Sequence, residues 1–305
     1  MKIGLVDVDG HHFPNTALMK IAGYHRAKGD DVTMLFPFEH YDRVYMSKVF
    51  TFTPDYTQAI DAEEIVKGGT GYDIKSRLPE EIENWTKPSY SPYCVDFSVQ
   101  FYSRGCIRHC PFCLVHDKEG DIRPVTPMEL NPVGKWIEVL DNNFFANPEW
   151  REAVKHLKKQ NQPVNFHGVD IRIMDAEQAE ALKGIRLKRN IHIAWDLPQL
   201  DLTDKLKEVV KIIPARRLSC YVLVGFNSTP EQDLHRVRTL KSLGITPFVQ
   251  PFRDYENKTQ PSQYARDFAR WANRVWTLKS CDFMDFEPRK GFKCSQYFDN
   301  QQINQ

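Results

Sequence analysis

The chain has 305 residues, of which 41% are hydrophobic and 27% charged, with 41 basic side chains against 40 acidic ones. This composition predicts a folded protein long enough for two domains, and so even a charge balance argues against a nucleic-acid partner; the first 90 residues lean only slightly acidic, 14 to 10. No apolar run reaches the roughly 18 residues that a membrane span needs.

The opening stretch MKIGLVDVDGHH lacks the charged-then-apolar layout of a secretory signal. The seven cysteines are an odd number, three of them within eight residues, which points to metal ligation in a reducing compartment rather than to disulfides. The expected location is therefore the cytoplasm.

In chain order, Lys2 to Val8 reads as a strand. Pro14 marks a helix start, and Leu18, Ile21, Ala22 and His25 give helical spacing up to Gly29. Val32 to Phe36, Val44 to Phe50 and Glu64 to Val66 read as further strands, the last running into Gly68-Gly69-Thr70-Gly71, a strand-end turn or a phosphate cradle. The segment from Tyr72 to Tyr93, with Pro79, Pro88 and Pro92, reads as a linker, so a boundary is expected near residue 90. The expected domains are 1–90, a small Rossmann-like α/β layer, and 91–305.

Beyond the linker, strand-like runs fall at Val95 to Phe101, Trp136 to Leu140, Val164 to Phe166, Ile191 to Trp195, Leu218 to Val224 and Ile245 to Val249. After the first interval they recur about every 28 residues, the length of a strand plus a crossover helix. Helical spacing fills the gaps at Trp150 to Gln160, Ala176 to Leu182, Leu202 to Ile213 and Glu231 to Leu243. Six βα units predict a parallel sheet curved into a partial (β/α)6 TIM-like barrel, with reactive groups at the C-terminal ends of its strands.

Directly after the first of these strands stands Arg104-Gly105-Cys106-Ile107-Arg108-His109-Cys110-Pro111-Phe112-Cys113, a C-x3-C-x2-C spacing. Thiolates are the preferred ligands of iron–sulfur clusters, which ordinarily take four; three leave one iron open to a small molecule. The competing reading is a structural zinc site with His116 as fourth ligand. A disulfide would strand one thiol.

With an aromatic residue before its last cysteine and its place atop the first βα unit, this motif resembles the signature of the radical S-adenosylmethionine (SAM) superfamily, and the βα pattern over 91–252 agrees. The resemblance implies a [4Fe-4S] cluster on Cys106, Cys110 and Cys113 whose open iron chelates SAM. A reducing electron would then release a 5′-deoxyadenosyl radical that abstracts hydrogen from a substrate. It also implies an external flavodoxin- or ferredoxin-like electron donor.

The remaining site residues follow from the resemblance. Family members carry a Gly-Gly-Glu-like segment after the second strand; here stand Asp141-Asn142-Asn143, resembling an Asp-Asp-Asn variant that would hold the SAM amino group, or an Asx turn capping the next helix. Arg172 would pair with the SAM carboxylate, or simply with Asp170. Asp196 would contact the ribose or methionine moiety, or cap a helix. Gly225 and Asn227 would lie along the adenine, Ser228 or Thr229 with Glu231 being alternatively a helix cap. Phe112 would touch the adenine through its main chain and ring edge.

Residues 1–90 resemble a shortened cobalamin-binding domain, although Asp7-Val8-Asp9-Gly10-His11-His12 lacks the Asp-x-His-x-x-Gly motif; a cobalamin-dependent radical methyltransferase is thus an alternative, with His11 or His12 as ligand candidates. A non-catalytic iron–sulfur or zinc protein is another. Cys94 and Cys220 read as buried core residues, and Cys281 and Cys294 as substrate-site candidates. Trp271, Val275 and Leu278 share a helical face expected to pack on the core.

Overall fold

The computed structural model describes residues 1–10, 13–254, 257 and 259–299; His11 and His12 lie outside them. The chain is mixed α/β with mostly parallel strands, divided into two compact units, Met1–Val164 and Asn165–Gln305.

In the first unit, β1 (Lys2–Asp7), α1 (Thr16–Ala27), β2 (Asp31–Met34), β3 (His40–Ser47) and β4 (Asp61–Gly68) build a four-stranded parallel sheet in the order β2-β1-β3-β4. β1 is buried along its middle, as expected for a central strand covered on both faces. One face packs Ile3 and Leu5 against Leu18, Ile21 and Ala22 of α1; the other carries Val6, Val44, Met46 and Tyr41 under connecting segments. Gly4 admits the Tyr41 ring, which a Cβ there would meet at 3.1 Å. Asn15 caps α1, accepting from Ala17 and Leu18 N–H.

The segment expected to be a linker instead folds back onto α1. Its short helix α2 (Glu80–Glu83) buries Ile82, Ser89 N–H donates to Met19 O at 2.9 Å, and the Tyr93 hydroxyl donates to Asp7 at 2.9 Å. Gly23 of α1 makes the contact close, since a Cβ there would lie 2.1 Å from Lys87 O. Residue 90 thus falls inside the first unit.

Next come β5 (Ser98–Gln100), β6 (Ser103–Arg104), α3 (Val115–Glu119), β7 (Arg123–Pro124), β8 (Ile137–Val139), α4 (Trp150–Gln160) and β9 (Val164–Phe166), where the division between units falls. β5 pairs with β8 in parallel. β6 and β7 form a two-residue antiparallel ladder.

The second unit contains α5 (Ala176–Lys183), β10 (Ile191–Ala194), α6 (Thr203–Ile212), β11 (Leu218–Val224), α7 (Pro230–Ser242), β12 (Thr246–Pro251), α8 (Gln263–Ala272), α9 (Val275–Ser280) and α10 (Gln296–Asp299). β10, β11 and β12 are parallel neighbours in that order. Pro247 and Pro251 sit on β12, at the edge of that sheet, where a missing N–H is tolerated. Behind it, Phe268, Trp271 and Phe283 pack with centroids 4.8 to 5.5 Å apart.

Two expectations are corrected here. Cys94 is exposed in a turn with φ of 49°, because the strand begins only at Ser98. The face shared by Trp271, Val275 and Leu278 breaks where α8 ends at Asn273; Trp271 and Leu278 remain buried while Val275 is 55% exposed. Cys220 is buried as expected.

Candidate functional site

The cysteine loop leaves and returns through one gate. The β6–β7 ladder closes its base, and Cys106 N–H donates to Gly120 O at 3.2 Å just above it. Gly105, at the departure point, has φ of 81°, and a Cβ there would lie 2.2 Å from Asp121 O and 2.6 Å from Gly120 O. Glycine is demanded both by the left-handed backbone and by the close approach of the returning strand.

Glu119, at the end of α3, locks this gate. Its carboxylate accepts from Gly105 N–H and from the Asn142 amide, each at 2.8 Å, and pairs with Arg104 at 2.7 Å. Charge-assisted bonds of this kind are the strong ones, and here they tie the root of the loop, its returning helix and the end of β8 to one side chain. Sequence reading misses Glu119; the only hint is a carboxylate ending a helical pattern just before a glycine.

Of the loop cysteines, Cys106 and Cys110 are partly buried and Cys113 is exposed. The Cys106 sulfur accepts from Arg108 N–H at 3.4 Å and from the Asn143 amide at 3.9 Å. Phe112 is partly buried beside Cys113, whose N–H donates to Cys110 O at 2.9 Å. Three soft sulfurs on one tied loop fit the donor set of an iron–sulfur cluster. The same loop also gathers His109, His116 and Asp121, whose ligand atoms all lie within 4.8 Å of one another. The two imidazole centroids are 3.6 Å apart, and buried His116 Nδ1 has no hydrogen-bond partner among the described residues, the Asp121 carboxylate lying 3.9 Å away.

The residues after β8 all turn to this loop. Asp141 accepts from Tyr102 N–H at 2.9 Å and from the Ser103 hydroxyl, fastening β8 to the strand that leads into the cysteines. It is 1% exposed, and burial pushes its carboxyl up to about 6 against the pull of those donors. Asn142 holds Glu119, and Asn143 reaches the Cys106 sulfur. Of these three, Asn143 touches Cys106 itself, while Asp141 and Asn142 bind the strand ahead of the loop and the Glu119 carboxylate at its root.

In the second unit, the Arg172 guanidinium makes a two-point contact with Asp170, at 2.6 and 2.9 Å, the pairing that sequence allowed as the alternative to a ligand role. Asp196 accepts from Leu223 N–H at 3.1 Å, and burial raises its pKa while Arg236 and Arg172 oppose the rise. Gly225, with φ of 84°, ends β11, and a Cβ there would meet only Ala265, at 3.5 Å. Asn227 is exposed. Thr229 caps α7 in a capping box with Gln232, so the helix-cap reading of that residue holds, with Gln232 rather than Glu231 as partner.

Arg236, also missed from sequence, is the buried anchor behind this edge. It is 1% exposed, donates to Trp195 O at 2.6 Å and Leu223 O at 2.9 Å, and bonds Asp233. It thus ties the ends of β10 and β11 to α7. Among the described residues, no helix is long and apolar enough to cross a membrane. No protein-family model matches this chain, and no curated protein matches it.

Proposed function

We propose that this chain is a radical SAM enzyme: Cys106, Cys110 and Cys113 hold a [4Fe-4S] cluster, and the open iron takes SAM. The observation that carries the reading is the C-x3-C-x2-C loop, which follows β5 and the short β6 and is tied to the end of β8, the parallel neighbour of β5: Asn143 donates to the Cys106 sulfur, Asn142 to the Glu119 carboxylate that holds the root of the loop, and Asp141 accepts from Ser103 just ahead of it. When bound, the cluster supplies an electron that cleaves SAM to a hydrogen-abstracting carbon radical, with an external flavodoxin- or ferredoxin-like protein as reductant. The chain's own residues do the positioning: Glu119 holds the root of the loop, and Asn143 and the Arg108 amide donate to the Cys106 sulfur; in the second unit the resemblance would assign SAM contacts to Asp196, Gly225 and Asn227, while Arg172 is engaged by Asp170.

The same reading takes β5, β8, β9, β10, β11 and β12 as the six strands of a partial barrel. Their parallel pairings and the parallel bridge between Val169 and Ile193 support it, as does the alternation of strands and helices along the chain.

The test is anaerobic reconstitution followed by dithionite reduction with SAM. Wild type is expected to release 5′-deoxyadenosine, and Cys106→Ala, Cys110→Ala and Cys113→Ala to release none; full release by all three variants overturns the reading. A corrinoid spectrum in the anaerobically purified protein would redirect it to a cobalamin-dependent methyltransferase.

A second reading, a zinc-binding loop, is favoured by the convergence of His109, His116 and Asp121. Metal analysis separates the two: zinc without iron or sulfide supports the second.

A further inference from the structure

The first unit contains a cavity of about 860 Å³ at the C-terminal ends of β3 and β4, with Ser47 and Gly68 in its wall. Ligands of open parallel sheets bind at that end of the strands, and this volume is in the range of small-molecule sites. We propose that it binds a phosphate-bearing anion of nucleotide size.

Charge makes the case. Four of the lining cations are matched by carboxylates, Lys20 with Glu83, Arg43 with Glu64, Lys67 with Asp55 and Arg104 with Glu119. Arg77, Lys118 and Arg123 are not: among the described residues their hydrogen bonds go to backbone carbonyls alone. Arg77 and Lys118 even share one oxygen, donating to Ser76 O at 2.9 and 2.6 Å, so two cations are held side by side with no anion between them. Burial lowers the pKa of Lys118 and the nearby Arg77 and Arg104 lower it further, against the opposing pull of Asp73 and Glu119; an anion seated between Arg77 and Lys118 would add to that pull.

A phosphate suits such a pair, offering several oxygens to an arginine fork and an ammonium together. The N-terminus of α1 is not the source of the attraction, because Asn15 already takes the first N–H groups. Trp85, Phe101, Leu78 and Val66 give the rest of the wall an apolar and aromatic surface, which fits a base and is superfluous for inorganic phosphate. Glycines 69 and 71 are not part of the cradle's chemistry: a Cβ on either would strike the backbone of Lys48 or Phe50, so they serve the strand-end turn.

None of Cys106, Cys110 and Cys113 lines the cavity, and the site stands whether or not those thiols take a cluster. The full chain, purified without iron, is titrated calorimetrically with ADP, inorganic pyrophosphate and adenosine. The expected result is saturable binding of ADP and pyrophosphate, weakening with added salt, with adenosine at least about tenfold weaker than ADP.

Arg77→Gln and Lys118→Gln are each expected to weaken ADP by about tenfold or more, with unchanged circular dichroism, whereas Lys155→Gln, on an exposed helix face, leaves it unchanged. Arg77 and Arg123 are exposed, so Arg123→Gln serves if Lys118→Gln is unstable. Absence of saturable ADP and pyrophosphate binding, equal affinity for adenosine and ADP, or wild-type affinity in the Arg77 and Lys118 variants overturns the proposal.

Discussion

Replacing Gly105 by alanine tests how the cysteine loop is held. Two costs add at this position. A left-handed φ costs an L-residue roughly 1–2 kcal/mol, and the new methyl, 2.2 Å from Asp121 O, forces the returning strand away, a kind of overpacking that costs about 1–3 kcal/mol. Gly29, just past the C-terminus of α1, supplies the control: its φ is 87° and a Cβ there would meet nothing within 4 Å, so Gly29→Ala incurs the first cost alone. At about 2–4 °C per kcal/mol for a unit of this size, Gly105→Ala is expected to melt roughly 4–20 °C below wild type and Gly29→Ala about 2–8 °C below. Thermal unfolding followed by circular dichroism measures both, and iron content after anaerobic reconstitution shows whether the loop can still load. Equal melting temperatures for the two variants, with wild-type iron in Gly105→Ala, would refute the claim that the β7 return clamps the loop.

Four further outcomes are expected. Asp141 binds its proton more tightly in the fold than in the unfolded chain, so stability falls as pH rises from near 4 to about 6; Asp141→Asn removes that loss, and its urea midpoint relative to wild type is expected to be higher at pH 8 than at pH 5, by the equivalent of about 1–3 kcal/mol. Glu119→Ala leaves Arg104, Gly105 N–H and Asn142 without their common acceptor and is expected to cost about 2–4 kcal/mol in urea denaturation and to lower iron loading. Arg236→Ala abandons the fully buried Asp233 and is expected to cost about 3–5 kcal/mol, whereas Arg238→Ala, whose partner Asp282 is solvent-accessible, costs at most about 1 kcal/mol. Asn143→Leu removes an amide donor from the Cys106 sulfur and is expected to lower the midpoint potential of a cluster bound there, read by redox titration.

The strands and helices are legible in the sequence because their burial is periodic. Leu218 to Val224 and Val164 to Phe166 coincide with β11 and β9, and the spacing over Trp150 to Gln160 coincides with α4. Boundaries drift where continuous apolar runs outlast the hydrogen-bond ladder, as at Val95, three residues ahead of β5. The Tyr72–Tyr93 segment is misleading because its prolines and polar residues describe a flexible tether, while its docking depends on Gly23, a glycine inside a helix whose role exists only once the chain has folded.

In the candidate site, the thiols are legible from spacing. Glu119 is not, because its partners lie at the Gly105 backbone and at Arg104 and Asn142, far along the chain; Arg236 is not, because its i,i+3 pairing with Asp233 reads as an ordinary helix-surface pair while its remaining partners are the backbone carbonyls of Trp195 and Leu223. Arg172 and Thr229 show the reverse case: each bonds a local partner two or three residues away, Asp170 and Gln232.

The central claim is that three thiols on one loop leave an iron open to SAM. Its most direct measurement is the electron paramagnetic resonance spectrum of the reconstituted, dithionite-reduced protein before and after SAM is added. A [4Fe-4S]+ signal that changes on adding SAM is the predicted result; an unchanged signal, or a protein that takes up no iron and sulfide, contradicts the account.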